Sequence, residues 1–278
     1  MKLGSIDFIN SLPVDHALVS GIVPSPCEVV LGVPSRLNRM VSAGELDLSP
    51  VSSLHYAENA SELLLLPDLS ISSRSGVKSV LLFSAVPIPL LEGKTIGVTS
   101  AGKTTPALLN ILLAKRYGVN ARFVAGDFDS RTLKMSGLDA LLLIGDEALL
   151  AAAGGKMGDF LVYDLAVEWT EWTGLPFVFA VWAVRKRFFE EHPALVREAA
   201  SALYGSKRWG MEHPEKILRA AREKTNLDTD VLRDYFKNLR HDFGTDLKEG
   251  LGRYAALARE LGLIAESRAE EEFADVGK

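Results

Sequence analysis

Asn10 and Ser11 interrupt the apolar run IDFINSLPV just ahead of Pro13, placing an amide and a hydroxyl where a strand gives way to a helix. Proline pre-sets φ for a first helical turn, so the stretch reads as strand, short polar turn, helix. The pattern returns three times. Ser52 and Ser53 follow Pro50 in DLSPVSSLHYA; Thr99, Ser100, Thr104 and Thr105 lie in IGVTSAGKTTPALL; Gly145 and Asp146 lie in LLLIGDEALL. In open α/β sheets, ligands bind beyond the carboxyl ends of the strands. Helix N-termini there offer unpaired N–H groups and a dipole that favours anions. Hydroxyls and an amide on these turns would complete a cradle for a carboxylate or phosphate. Taken singly, each turn is explained by helix capping alone, the preferred work of Ser, Thr, Asn and Asp at such positions. Four of them on converging strand ends point to a ligand cleft.

Other chemistries find less support. GVTSAGKT, residues 97–104, matches the phosphate-loop pattern GxxxxGK[ST] after a strand and before a helix. No accompanying strand ends in a metal-binding Asp, since LLLIGD puts Gly145 before Asp146, so nucleotide hydrolysis is disfavoured. The histidines, His16, His55, His192, His213 and His241, show no HxxxH or HExxH spacing and read as solvated or helix-surface residues. Cys27, the single cysteine, admits no internal disulfide and reads as a half-buried structural thiol. Trp169, Trp172, Trp182, Phe177 and Phe179 are core candidates, one of which could floor the cleft.

The elements that must carry these turns can be read from periodicity. The chain has 278 residues, 47% hydrophobic and 24% charged, enough for one large domain or two moderate ones. A net charge of -5 argues against a nucleic-acid partner, because no basic excess exists to neutralise phosphates. Asp7, Asn10 and Asp15 rule against a secretory leader, and the longest apolar runs are too short to cross a bilayer, so a cytoplasmic protein with no membrane partner is expected. Strands alternate with helices as far as FVFAVWAV (177–184), implying βαβ units and mainly parallel sheets. Residues 186–262 are helical in pattern, and the charged tail from Glu266 is expected to fray. FSAVPIPLLEG (83–93) reads as a crossover to a second lobe and GLPFVFAVWAV (174–184) as the return. The expected division is 1–88 with 178–278 as the first lobe and 89–177 as the second, with a ligand cleft between them. The sequence leaves a homodimer open.

IDFINSLPV, SRLNRMVSAGELDLSPVSSLHYA, LPDLSISSRSGVKSVLLFS, LLLIGDEAL and EWTGLPFVFAVWAVR together resemble the chorismate dehydratase family of the futalosine route to menaquinone, over about residues 2–255. The resemblance implies an α/β, two-lobed periplasmic-binding-protein-like (type II) fold with a helical C-terminal region. It also implies a lyase that needs no cofactor and no metal, with chorismate as its small-molecule substrate. Asn10 and Ser79 match the family's catalytic amide and serine. Ser100, Thr104 and Thr105 match its hydroxyl turn, where many members carry serine at the position of Gly102. Ser11, Ser52, Ser53, Gly145 and Asp146 complete the expected binding set. The related 1,4-dihydroxy-6-naphthoate synthases share the fold but usually carry a CPNDT-like element, absent here. A non-enzymatic solute-binding protein of the same architecture is the third reading. Neither Asn10 nor Ser79 is a base, so the substrate's own enolpyruvyl carboxylate is the expected proton acceptor, with Asp146 as the protein alternative.

Overall fold

The computed structural model describes residues 1–128, 137–154, 159–265 and 271–277. Two five-stranded sheets carry the architecture. The first is ordered β2-β1-β3-β10-β4, from β1 (Lys2–Ile6), β2 (Glu28–Gly32), β3 (Leu48–Ser52), β4 (Leu63–Ser73) and β10 (Phe177–Arg185). The second is ordered β7-β6-β8-β5-β9, from β5 (Val80–Ser84), β6 (Thr95–Thr99), β7 (Arg122–Gly126), β8 (Ala140–Ile144) and β9 (Leu161–Asp164). Each sheet has three parallel strands, β2-β1-β3 and β7-β6-β8, followed by an antiparallel strand, β10 and β5 respectively. The sheets are therefore mixed rather than mainly parallel. The antiparallel strands are those that arrive from the other lobe without a crossover helix to reverse the chain.

This topology moves the first crossover. β5 belongs to the second sheet, so the chain leaves the first lobe between Ser73 and Val80, ahead of the expected 83–93 and of the boundary at residue 88. The return falls between α6 (Leu165–Thr173) and β10, within the expected segment. Phe177 pairs with Ser73, so the two connections leave adjacent strands and run together. The sequence reading assigned VLLFS to the first lobe because the strand is apolar throughout: its residues are buried on both faces, with Val80 and Leu82 in the main core and Leu81 and Phe83 in a smaller cluster. Such a strand carries no alternation to say which sheet it joins.

Two prolines sit inside strands. Pro50 pairs with Trp182, but β3 meets β1 only at Leu3↔Leu48, so the missing N–H of Pro50 falls where β3 has already left β1. Pro67 lies in the edge strand β4, which runs through it from Leu63 to Ser73. Part of the tail also departs from expectation. Its residues 266–270 lie outside the described residues, but Leu65 donates to the Glu272 carbonyl at 2.8 Å and Ala274 donates to that of Leu65 at 2.9 Å. The described tail thus pairs along β4 instead of fraying.

Helices α1 (Leu12–Val19), α2 (Pro34–Ser42) and α3 (Ser53–Glu58) follow β1, β2 and β3; α4 (Thr104–Ile111) and α5 (Gly145–Ala153) follow β6 and β8. After β10 come α7 (Lys186–Glu191), α8 (Pro193–Glu212), α9 (Pro214–Thr225), α10 (Thr229–Asn238) and α11 (Thr245–Glu260), packed on the first lobe and the junction. Trp169, Phe177 and Tyr254 meet edge to face at 5.1–6.3 Å, tying α6, β10 and α11 together. The Trp169 indole N–H donates to the Pro176 carbonyl at 3.2 Å, so the return connection is held in the core. No helix among the described residues is long and apolar enough to cross a membrane.

Candidate active site

The cleft between the lobes encloses about 60 Å³. Apolar walls come from Ile6, Phe8, Val77, Ile144 and Phe179, and polar groups from Asn10, Ser52, Ser79, Thr104 and Thr105, with Gly145 beside them. Phe179 supplies the aromatic floor anticipated from the β10 sequence. Among the described residues, no Asp, Glu, His, Cys, Lys or Arg lines the space.

Asn10 sits in the 3₁₀ turn Ile9–Ser11 that follows β1. Its side-chain oxygen is buried without a partner, as is the Thr105 hydroxyl. Buried polar atoms are nearly always paired, so two orphans in one cleft mark places for ligand donors. Ser52 is clamped by Asn38, whose amide nitrogen donates to Ser52 Oγ at 2.9 Å and whose oxygen accepts the Ser52 N–H at 3.2 Å. Ser79 ends the connection into β5. Its carbonyl accepts the Gly145 N–H at 2.8 Å, and its Oγ accepts from the Tyr235 hydroxyl at 3.2 Å. Gly145 adopts φ +63°, and a Cβ there would stand 3.1 Å from the Phe8 ring, so the turn from β8 into α5 suits glycine on both counts.

Four expected binding residues turn elsewhere. Ser11 donates back to the Ile6 carbonyl at 2.8 Å, closing the end of β1. Ser53 donates to the Val178 carbonyl at 2.6 Å and holds α3 to β10. Ser100 is exposed and donates to Asp127 at 2.5 Å. Asp146 accepts the Ile9 N–H at 3.1 Å across the cleft. Burial raises the Asp146 pKa, opposed by that N–H and by Lys224. Thr104 lines the cleft yet also bridges the lobes, its Oγ1 accepting the Leu54 N–H at 3.0 Å. Two helix starts expected to offer free N–H groups to an anion are thus met by side chains of the opposite lobe. With Ser35 N–H to the Ala101 carbonyl at 3.0 Å, these bonds latch the two lobes to each other.

The phosphate-loop reading fails on geometry: Gly97 lies inside β6, leaving only the turn from Ser100 to Lys103 before α4. Among the described residues, no group of three or more His, Cys, Asp and Glu could hold a metal ion. His55 faces a separate surface hollow with Ser42 and Arg185, its pKa lowered to about 4 by burial and by Lys103. His241 departs from its expected surface role. Its Nε2 donates to the Asn10 main-chain carbonyl at 2.8 Å, and burial lowers its pKa to about 4. Tyr235, His241 and Asn38 were missed in the sequence; Asn38 alone gave a signal, as a polar residue on the apolar face of α2.

Two mixed sheets joined by paired connections around an interlobe cleft define a binding-protein-like α/β fold. A family model described as menaquinone biosynthesis matches residues 1–260, and the chain belongs to that family. It is 32% identical to the chorismate dehydratase of Thermus thermophilus, over 94% of this chain and 95% of that one. It is 27% identical to the 1,4-dihydroxy-6-naphtoate synthase of the same organism, over 96% and 97%. Among solved structures, the periplasmic aliphatic sulphonate binding protein of Escherichia coli superposes with a TM-score of 0.69 at 12% identity, covering 99% of this chain and 97% of that one. That likeness concerns the fold alone.

Proposed function

We propose that this protein is a chorismate dehydratase, a carbon–oxygen lyase converting chorismate to 3-[(1-carboxyvinyl)oxy]benzoate and water. The observation that carries the reading is the cleft lining: neutral hydroxyl and amide groups, one with an unpartnered buried acceptor at Asn10, and no titratable side chain among the described residues. The family and the Thermus relative support the same choice.

The chemistry suits such a site. The C3–H bond of chorismate is acidified because the resulting carbanion conjugates through the diene to the ring carboxylate. The C3 and C4 oxygens are trans, so the C3 hydrogen and the C4 hydroxyl share a face. The enolpyruvyl carboxylate folds back and accepts the C3 proton. The C3–H electron pair becomes the new ring double bond as C4–O breaks, and the hydroxide leaves with the transferred proton as water. Aromatisation drives the step. The protein's part is to hold one conformer and to stabilise the departing oxygen. The Asn10 oxygen accepts from the C4 hydroxyl, Ser79 donates to the oxygen that leaves, and Thr105 binds a carboxylate.

The test is incubation of pure protein with chorismate, following the aromatic enol ether by absorbance and chromatography. Stoichiometric product accumulation over many turnovers supports the reading. Binding without turnover favours a solute-binding protein, and no reaction with chorismate favours the naphthoate synthase class.

A further inference from the structure

Ser79 and Asn10 are the two polar groups on which the proposed chemistry depends, and neither is held by its own neighbours in sequence. Both are held from behind by one stretch of the C-terminal helical region. Tyr235 on α10 is 1% exposed, and its hydroxyl donates to Ser79 Oγ at 3.2 Å. His241, six residues on, reaches the Asn10 carbonyl at 2.8 Å. A carbonyl only accepts, so Nε2 carries the hydrogen.

The stretch itself is anchored. Arg240 exchanges main-chain hydrogen bonds with Ser72 of β4, at 2.8 and 3.0 Å, and Ser70 donates to the His241 carbonyl at 3.3 Å. Its guanidinium binds Asp242 and Asp246. On the other side Lys78, adjacent to Ser79 and at φ +59°, pairs with Asp234, adjacent to Tyr235. The connection that delivers Ser79 is therefore fastened to α10 at two successive residues.

We propose that Tyr235 and His241 are positioning residues of this cleft: Tyr235 orients the Ser79 hydroxyl, and His241 fixes the Asn10 main chain. The inference rests on the chorismate reading above. A serine hydroxyl has one hydrogen and two acceptor lone pairs. With one lone pair taken by the phenol, its hydrogen is free to turn toward the cleft, and the accepted bond polarises it as a donor. Neither Tyr235 nor His241 lines the cleft, so each acts through its partner.

The experiment is a double-mutant cycle on chorismate turnover with Tyr235→Phe, Ser79→Ala and the pair combined, each checked for folding by circular dichroism. Tyr235→Phe is expected to lower kcat by about 5- to 10-fold, the equivalent of one neutral hydrogen bond, with KM changed less than about 2-fold. Added to Ser79→Ala it is expected to cost nothing further. In a second arm His241→Gln, which retains an N–H donor, is expected to keep most of the turnover that His241→Leu loses. Should Tyr235→Phe fail to fold, 3,5-difluorotyrosine at position 235 keeps shape and hydroxyl while strengthening the donor; kcat then changes in the wild-type background and not in the Ser79→Ala variant. Independent, multiplicative losses in the cycle, or equal turnover of the two His241 variants, overturn the inference alone. Absence of wild-type turnover overturns the functional reading and this inference with it.

Discussion

Replacing Asp146 by Asn keeps the size of the side chain and one acceptor oxygen while deleting its charge, which separates a base from a latch. The carboxylate accepts the Ile9 N–H at 3.1 Å and stands outside the cleft lining. A hydrogen bond to a charged acceptor contributes about 1.5–3 kcal/mol and a neutral one about 0.5–1.5, so the exchange loses about 1 kcal/mol. Burial already disfavours the charge, as the raised pKa of Asp146 records, and removing it returns part of that loss. The net change in stability is therefore below about 1 kcal/mol, a Tm shift of about 2–4 °C or less for a chain of this size. On the chemistry, deleting a general base costs about 10²- to 10⁴-fold, whereas a latch that keeps its acceptor costs little. Single-turnover rapid quench with excess enzyme over chorismate reads the chemical step directly. We expect Asp146→Asn to retain turnover within about 5-fold, on the scale of 1 kcal/mol. A hundredfold fall with unchanged binding and circular dichroism would show that the protein supplies the base, and the substrate-assisted mechanism would be wrong.

Other perturbations bear on the frame beneath the site. Asp15 is buried beside Ser5, whose hydroxyl donates to it at 2.7 Å, and burial pushes its pKa up to about 7. Because the folded pKa lies above the unfolded one, its contribution is complete below about pH 4 and is lost as pH rises through 7, by roughly 4 kcal/mol at most. Asp15→Asn should flatten the fall of Tm between pH 5 and 8 in calorimetry; parallel curves for the two proteins would contradict this. Gly145→Ala forces an L-residue to φ +63° and presses a Cβ to 3.1 Å from the Phe8 ring. A cost of about 1–2 kcal/mol follows from the backbone alone, with slower turnover because the Gly145 N–H holds the Ser79 carbonyl; wild-type Tm and kcat would refute it. Chelation with EDTA and exhaustive dialysis should leave turnover unchanged, and a loss restored by one specific metal would refute the elimination as written.

What the sequence determined was local: apolar strands ending in polar turns, prolines opening helices, the helical C-terminal third, and an apolar return strand. The motifs around Asn10, Ser79 and GLPFVFAVWAV were long enough to suggest the family as well. Those features follow from periodicity and capping, which act over a few residues. Only the tertiary structure decided which polar turns face the ligand. Ser11 and Ser100 look as well placed as Asn10 and Thr104 in the sequence, yet each hydroxyl is already spent on an acceptor of the protein itself, the Ile6 carbonyl or Asp127. The partners that settle the rest lie far along the chain: Ser53 with Val178 at 125 residues, Asp146 with Ile9 at 137, Tyr235 with Ser79 at 156, His241 with Asn10 at 231. No period or cap signal spans such distances. A hydroxyl or amide has several low-energy directions, and which one it adopts is set by whatever acceptor or donor packing brings within about 3 Å.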